Sequence, residues 1–177
     1  MDGPRVGLGV DSHPFGPGGP LRLGGIEIPG APRLYGHSDG DVALHALADA
    51  LLGGAGLGDL GRLFPADRRT PEGIASADLL RDVVERLASD GWRVAGADLT
   101  IVAARPRLAG QLDEMRTAIA SLLGLDAAAV SVKASTGNLS GDPGAGRGIL
   151  AQAVATLVPV GVPGSPSGRA GAEVSAR

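Results

Sequence analysis

The sequence predicts an α/β domain in which helices pack on one face of a single sheet. Segments with the apolar spacing of strands alternate along the chain with segments that have the spacing of amphipathic helices. Strand segments are few, which favours one sheet. The chain has 177 residues, enough for one domain with its own core, and only 2% of them are aromatic. We therefore expect a core of Leu, Val, Ile and Ala.

Strands are predicted where a short apolar or alternating segment is bounded by glycine or proline. They cover residues 5–11, 21–23, 26–28, 92–104, 130–134 and 149–158. Gly24 and Gly25 predict that the second and third strands form a hairpin. The last segment contains several alanines, so a helix is the alternative there. Loops are predicted at residues 13–20, 29–36, 58–65, 105–107 and 137–148.

Three helices are predicted from apolar residues at helical spacing. The first begins at Ser38, a good N-cap residue with Asp41 three positions later, and continues to Gly53. The second covers residues 76–89, and the third covers residues 112–123 and ends at a glycine. Because strands and helices interleave in this order, the α/β class follows.

The predicted domain spans residues 1–158. The remaining residues, 159–177, are rich in Pro, Gly, Ser and Ala, with few large apolar side chains. Such a segment cannot bury enough apolar surface to order itself, so we expect a disordered tail.

Composition excludes several classes of function. The net charge is −3 and the only dense basic run is Arg68 with Arg69, which argues against a general nucleic-acid binder. The absence of cysteine excludes disulfides, thiolate zinc sites and cysteine nucleophiles. No apolar run reaches the ~18 residues of a membrane span, and no signal peptide pattern is present. We expect a cytoplasmic protein that binds neither nucleic acid nor membranes.

The three histidines, His13, His37 and His45, fall close together and form the most informative cluster with Asp11. Asp11 and His13 are two apart at the end of a strand, so their side chains point to one face. His45 lies on the first helix. Two imidazoles and one carboxylate can hold Zn²⁺ with a fourth position open, the pattern of a catalytic zinc site. The alternative is that the Asp-x-His pair has no function, as isolated pairs usually do not.

Asp41 and Asp49 lie four residues on either side of His45, on the same helical face. Either carboxylate could orient the second nitrogen of the His45 imidazole from behind the metal site. Asp41 has a simpler alternative role, which is to favour the helix N-terminus through the helix dipole.

Several longer motifs are more specific than the cluster. The segment 37–47 reads HSDGDVALHAL, and Asp11 and His13 stand in the segment GVDSH. Further motifs are LGGIEIP at 23–29, DALLG at 49–53 and LGDLGRLFP at 57–65. Together they resemble the 2-C-methyl-D-erythritol 2,4-cyclodiphosphate synthase family of the non-mevalonate isoprenoid pathway. The resemblance runs in register from about residue 5 to residue 158.

The resemblance implies a four-stranded mixed sheet with helices on one side, and a homotrimer with active sites between neighbouring subunits. It implies a phosphorus–oxygen lyase that converts 4-diphosphocytidyl-2-C-methyl-D-erythritol 2-phosphate to the cyclic diphosphate and releases CMP. The substrate's 2-phosphate attacks the β-phosphorus in line, so the protein positions groups and neutralises charge.

The resemblance also implies residue roles. Zn²⁺, one per chain, would be held by Asp11, His13 and His45. His37, Ser38 and Thr136 would be catalytic, with His37 and Ser38 contacting phosphate and methylerythritol. Further substrate-binding residues would be Asp59, Gly61, Phe64, Pro65, Ala103, Arg105, Pro106 and Lys133, and the stretch 103–109 would cradle the cytosine.

The distal segment departs from the family pattern. Asn138 stands where the family has a glutamate that holds a second divalent ion, and Gly137 replaces a threonine. Weak binding of Mg²⁺ or Mn²⁺ is therefore expected, with Asp142 as an alternative ligand if the alignment contains a gap. The departure leaves two alternative functions open: a divergent enzyme with altered phosphate chemistry, and a non-catalytic zinc-binding trimer.

Overall fold

The central sheet has four strands in the order β1-β6-β4-β5, in a computed structural model that describes residues 3–161. Strands β1, β6 and β4 pair antiparallel, whereas β4 and β5 pair parallel, so the sheet is mixed. The strands are β1 (Arg5–Pro14), β4 (Trp92–Val102), β5 (Val130–Ser135) and β6 (Gly148–Pro159). A separate two-stranded hairpin consists of β2 (Leu21–Leu23) and β3 (Ile26–Ile28). The predicted α/β class, mixed sheet and hairpin are confirmed.

Three long helices cover one face of the sheet: α1 (Val42–Ala55), α3 (Ser76–Ser89) and α4 (Leu112–Leu123). Two four-residue helices lie in segments predicted as loops: α2 (Leu60–Leu63) and α5 (Gly141–Gly144). The core between sheet and helices consists almost entirely of Leu, Ile, Val and Ala, with Met115 and a single aromatic residue, Trp92, as the low aromatic content predicts. In the part of the chain that is described, no helix has the length and apolar character needed to cross a membrane.

The start of the first helix was predicted wrongly. Helix α1 begins at Val42, and its N-cap is Asp41 instead of Ser38. The Asp41 carboxylate accepts the backbone N–H groups of Ala43 and Leu44 at 3.2 and 3.1 Å. It also accepts the N–H groups of Gly24 and Gly25, at 2.8 and 2.7 Å, so it ties the β2–β3 hairpin to the helix. These four bonds favour Asp41 as the cap.

The helix also continues past Gly53, where its end was predicted, to a left-handed Gly56. At the C-terminal end of the fold, β6 resolves the choice between strand and helix in favour of a strand. It includes Pro159, which was assigned to the tail. Val160 and Gly161 follow in a turn, and the predicted tail from residue 162 on lies outside the described residues.

Glycines in β1 allow helix α1 to approach the sheet closely. A Cβ atom at Gly7 would lie 1.8 Å from the carbonyl oxygen of Ala50, and one at Gly9 would lie 2.0 Å from that of Ala46. Neither side chain is therefore sterically possible without moving the helix. The close approach places the helix that carries His45 directly over the strand that carries Asp11 and His13.

The other face of the sheet carries exposed apolar side chains. Val6, Leu8 and Val10 alternate along β1 and are 67%, 66% and 49% exposed. In the neighbouring strand β6, Val154 is the register partner of Leu8 and is 39% exposed. Large apolar side chains grouped on one open sheet face are typical of a surface that another protein covers.

Candidate metal centre and active site

The side chains of Asp11, His13 and His45 converge at the end of β1 and the middle of α1. Asp11 Oδ2 lies 2.9 Å from His13 Nε2 and 3.0 Å from His45 Nδ1. His13 Nε2 and His45 Nδ1 are 3.3 Å apart. Three potential ligand atoms thus face a single point, and among the described residues this is the group that could hold a metal ion. The structure brings the three predicted ligands together.

The outer nitrogens of both imidazoles have partners that orient the rings. His13 Nδ1 donates to the carbonyl oxygen of Tyr35 at 2.6 Å. A carbonyl oxygen only accepts, so Nδ1 of His13 carries a proton, and in the neutral imidazole the lone pair of Nε2 is the one turned toward the cluster. His45 Nε2 lies between two hydroxyls, 3.0 Å from Ser38 Oγ and 2.9 Å from Ser76 Oγ.

Electrostatics within the cluster favour an ionised carboxylate. Partial burial by itself raises the pKa of Asp11, but the short contacts and charge interactions with the His13 and His45 rings outweigh it and hold that pKa far below its usual range. The bond to Asp11 likewise raises the pKa of His13. The cluster therefore holds a carboxylate beside two imidazoles, a set of donors suited to a divalent cation.

Asp41 and Asp49 were predicted to orient the second nitrogen of His45, but neither carboxylate contacts it in the structure. The Asp41 carboxylate is occupied by backbone N–H groups at the helix start. Asp49 Oδ1 accepts the N–H of Leu60 at 2.7 Å. The second nitrogen of His45 instead meets Ser38 and Ser76, which approach from the loop before α1 and from the start of α3. Helix spacing alone could not predict these contacts, since Ser76 is 31 residues away from His45.

The cluster opens into a pocket of about 290 Å³. Its wall combines polar groups next to the cluster with apolar side chains from the segment after α1. The lining includes Asp11, His13, His37, Ser38, His45, Asp49, Leu60, Gly61, Phe64, Ala66, Thr70, Ile74 and Leu79. His37 Nε2 donates to the carbonyl oxygen of Thr70 at 2.8 Å, which fixes the ring in the wall. Of the predicted substrate residues, His37, Ser38, Gly61 and Phe64 line this pocket.

Ser38 is placed differently from the expected helix N-terminus. It is 5% exposed, and its Oγ accepts the N–H of Gly40 at 3.1 Å beside the contact to His45. Asp59 caps the short helix α2 through the N–H of Arg62, at 2.9 Å. Asp59 and Pro65 do not line the pocket, although both stand next to residues that do.

A second pocket, of about 160 Å³, lies where β4 and β5 end. It includes three of the predicted substrate residues, Ala103, Pro106 and Thr136, and shares no lining residue with the first pocket. Lys133 and Arg105 do not line it. The Lys133 ammonium pairs with Asp98, which lowers the pKa of that carboxyl. Arg105 stacks over the Phe15 ring at 4.8 Å and donates to the carbonyl oxygen of Gly146.

A family model decides the relationship. The model of the YgbB family matches residues 4–158 of this chain. The chain belongs to the YgbB family. The match covers both pockets and the six strands, except for Pro159 at the end of β6.

Curated YgbB-family relatives are closely similar to this chain. The 2-C-methyl-D-erythritol 2,4-cyclodiphosphate synthase of Erwinia tasmaniensis is 47% identical over 154 residues, which are 87% of this chain and 98% of the relative. The bifunctional enzyme IspD/IspF of Anaeromyxobacter dehalogenans is 48% identical over 153 residues. The match covers 86% of this chain but only 39% of the length of the bifunctional relative. The resemblance predicted from the motifs is confirmed.

Solved structures of the YgbB family share the fold. The CDP complex of IspF from Plasmodium falciparum superposes with a TM-score of 0.77 and 28% sequence identity. The match covers 90% of this chain and 99% of that structure.

The distal segment, where this chain departs from the family pattern, forms a tight left-handed turn. Gly137, Asn138 and Leu139 have φ angles of 71°, 48° and 63°. Asn138 is exposed, and its backbone N–H faces Thr136 Oγ1 at 3.5 Å. Asp142, the alternative metal ligand, forms an ion pair with Arg147. Its carboxylate is therefore already engaged by a cation of the same loop.

Proposed function

We propose that this chain is a 2-C-methyl-D-erythritol 2,4-cyclodiphosphate synthase. It converts 4-diphosphocytidyl-2-C-methyl-D-erythritol 2-phosphate to the cyclic diphosphate and CMP, which makes it a phosphorus–oxygen lyase. The observation that carries this proposal is the cluster of Asp11, His13 and His45 at the mouth of a pocket, in a chain about 47% identical to named synthases. The two alternatives left open by the distal segment have no support among these relatives.

The metal of the cluster is proposed to be zinc. Two ligand atoms of a tetrahedral zinc site are separated by about 3.3 Å when the bonds are about 2.0–2.1 Å long. The three separations of 2.9, 3.0 and 3.3 Å are close to this value. Asp11, His13 and His45 would hold the ion with a fourth position open toward the pocket. Bound zinc supplies a Lewis acid that polarises a phosphoryl oxygen.

The chain's own residues position the substrate for in-line attack. His37, held by the Thr70 carbonyl, stands in the pocket wall where it can donate to a phosphate oxygen. The apolar wall of Leu60, Phe64 and Ile74 is suited to the methylerythritol carbons. No residue needs to form a covalent intermediate, because the attacking 2-phosphate belongs to the substrate. A contact of Ser38 with the substrate stays a prediction.

The cytidine end is proposed to bind in the second pocket. Residues of the stretch 103–109, apart from Arg105, line this pocket together with Thr136, whose hydroxyl can donate to the diphosphate. A related structure, IspF of Plasmodium falciparum, holds CDP. Arg105 and Lys133 are proposed to contribute from the rim once the substrate is bound.

A homotrimer is proposed because each active site needs both pockets. The two pockets of one chain share no lining residue, and the family resemblance implies active sites between neighbouring subunits, so we propose that the second half of each site comes from a neighbouring chain. The open sheet face with Val6, Leu8, Val10 and Val154 supplies an apolar surface for this association.

Replacing Leu8 with glutamate is expected to dissociate the trimer, because the change puts a charge in the centre of the apolar face. Light scattering at micromolar concentration should give three times 17.5 kDa for the wild type and 17.5 kDa for Leu8→Glu. Ser89→Glu, on the exposed end of α3, is the matched control and should remain trimeric. A Leu8→Glu protein with trimeric mass would remove this face as the interface.

Turnover of the family substrate tests the proposed function directly. A ³¹P NMR assay should show the substrate signals disappear while cyclic diphosphate and CMP form, and addition of a zinc chelator should stop the reaction. Binding of the substrate without turnover would instead favour the divergent or non-catalytic alternative.

The second divalent ion is expected to bind weakly. Asn138 offers an amide oxygen without charge, and loss of one charge-assisted ligand weakens binding by ~1.5–3 kcal/mol, about ten- to a hundredfold. Turnover should therefore need unusually high Mg²⁺. Asn138→Asp restores a carboxylate and tolerates the left-handed φ of 48° better than glutamate would. We expect this variant to saturate at lower Mg²⁺ in a titration of turnover. Equal Mg²⁺ requirements would place the ion on another residue.

A further inference from the structure

The ring nitrogen that carries the His45 proton decides whether His45 can serve as a metal ligand. Its Nδ1 faces Asp11 and His13, and its Nε2 faces the hydroxyls of Ser38 and Ser76. A neutral imidazole binds a metal through a nitrogen that carries no proton, so the His45 proton must be on Nε2. This arrangement is enforced if the group next to Nε2 can only accept a hydrogen bond.

Ser76 is such a group. It is the first residue of α3 and is 1% exposed, yet its hydroxyl does not cap the helix, since α3 has no side-chain cap bond. The hydroxyl instead donates to Oδ1 of Asp39. A serine has one hydroxyl proton, and with that proton directed to the carboxylate, Ser76 Oγ can meet His45 Nε2 only as an acceptor.

Ser38 does not fix the position of the His45 proton in the same way. Its Oγ accepts the N–H of Gly40 at 3.1 Å and lies 3.3 Å from Ser76 Oγ. No carboxylate binds its hydroxyl proton among the described contacts, so this hydroxyl can turn either toward His45 or toward Ser76. The direction is therefore set by Asp39 and Ser76.

We propose that Asp39 and Ser76 are positioning residues for the metal centre. Asp39 accepts a hydrogen bond from the Ser76 hydroxyl, and Ser76 Oγ accepts one from the N–H at His45 Nε2. The lone pair of His45 Nδ1 is then directed at the point that Asp11 and His13 also face. Residues behind a metal ligand fix its tautomer and ring orientation in this way. The inference rests on the metal-binding part of the proposed function.

Zinc affinity, measured by competition with a chromophoric chelator, tests the proposal with four variants. Ser76→Ala removes the acceptor, and Asp39→Ala frees the Ser76 proton to turn toward His45. Both should lower zinc affinity about 10–100-fold. Asp39→Asn can keep an oxygen at the Oδ1 position, which accepts from Ser76 and from the N–H of Asp41 at 3.2 Å, so it should retain most of the affinity. Asp78→Asn, in the first turn of the same helix, is the control and should match the wild type.

The proton itself is the second readout. The chain has three histidines, so ¹⁵N labelling of histidine gives a spectrum with few ring N–H signals. In the zinc-loaded wild type, the His45 Nε2 proton should exchange slowly with water, and its exchange should accelerate in Ser76→Ala and in Asp39→Ala. A loss of packing alone would not produce this effect selectively in Asp39→Ala while Asp39→Asn keeps the slow exchange.

The outcomes separate this inference from the proposed function. Wild-type affinity and slow exchange in folded Ser76→Ala and Asp39→Ala proteins would overturn the positioning role and leave the metal centre intact. Circular dichroism shows whether Ser76→Ala folds. If it does not, the two Asp39 variants alone test the positioning role. A wild type that binds no zinc would overturn the proposed function instead.

Discussion

Replacing Gly9 with alanine is expected to destabilise the fold by more than about 3 kcal/mol, at or beyond the upper end of ordinary overpacking. The new Cβ atom would lie 2.0 Å from the carbonyl oxygen of Ala46 and 2.6 Å from the backbone nitrogen of Ala50. Both are backbone atoms in the middle of α1, so no side chain can turn aside to make room. Thermal unfolding followed by circular dichroism should show a melting temperature lower by roughly 10 °C, or no folded protein at all.

Gly53→Ala is the matched control, because it makes the same chemical change in α1 where no atom lies within 4 Å of the new Cβ. Alanine favours the helix over glycine by about 1 kcal/mol, so this variant should be more stable than the wild type. The two substitutions are thus expected to have opposite signs. Similar melting temperatures for Gly9→Ala and the wild type would mean that the strand and the helix are farther apart than described.

Replacing His45 with alanine is expected to remove stoichiometric zinc. The variant keeps Asp11 and His13 but loses one of the three atoms that converge on the cluster. Its affinity should fall by more than about 100-fold, since changes even to residues behind a metal ligand cost 10–100-fold. Elemental analysis after reconstitution and removal of excess metal should give one zinc per wild-type chain and less than a tenth of that for His45→Ala.

His37→Ala provides the comparison within the same pocket. His37 lines the wall but is not a member of the cluster, so this variant should keep its zinc and lose turnover. Stoichiometric zinc in His45→Ala would contradict the ligand assignment. Loss of zinc in His37→Ala would mean that His37 also contributes to the metal site, contrary to the geometry of the cluster.

Local sequence patterns predicted most of the helices and strands. The differences arise from contacts between segments that are distant in the sequence. Apolar spacing predicted helix α3 at its observed limits, because its buried and exposed faces are well separated. The start of α1 was missed because both Ser38 and Asp41 are good N-cap residues. Asp41 is the cap, and it also binds the hairpin residues Gly24 and Gly25, a contact between distant segments that no local pattern contains.

The candidate site divides in the same way. The motifs brought out Asp11, His13 and His45, and the structure places them together. They gave no role to Asp39 and Ser76, although Ser76 contacts His45 and Asp39 accepts the Ser76 hydroxyl proton. At the start of a predicted helix, Ser76 has the signature of an ordinary cap residue. Only the course of the chain in three dimensions gives its hydroxyl a different partner.

Because the three proposed ligands are divided between β1 and α1, a zinc ion bound there would be a reversible cross-link. Asp11 and His45 are 34 residues apart, so an unfolded chain must close a long loop before both can hold the same ion. The ion therefore binds the folded chain in preference to the unfolded one, and free zinc at a hundred times its dissociation constant adds about 2.7 kcal/mol to the stability of the fold. With zinc bound as proposed, the supply of the metal would affect the stability of the fold as well as the activity of the site.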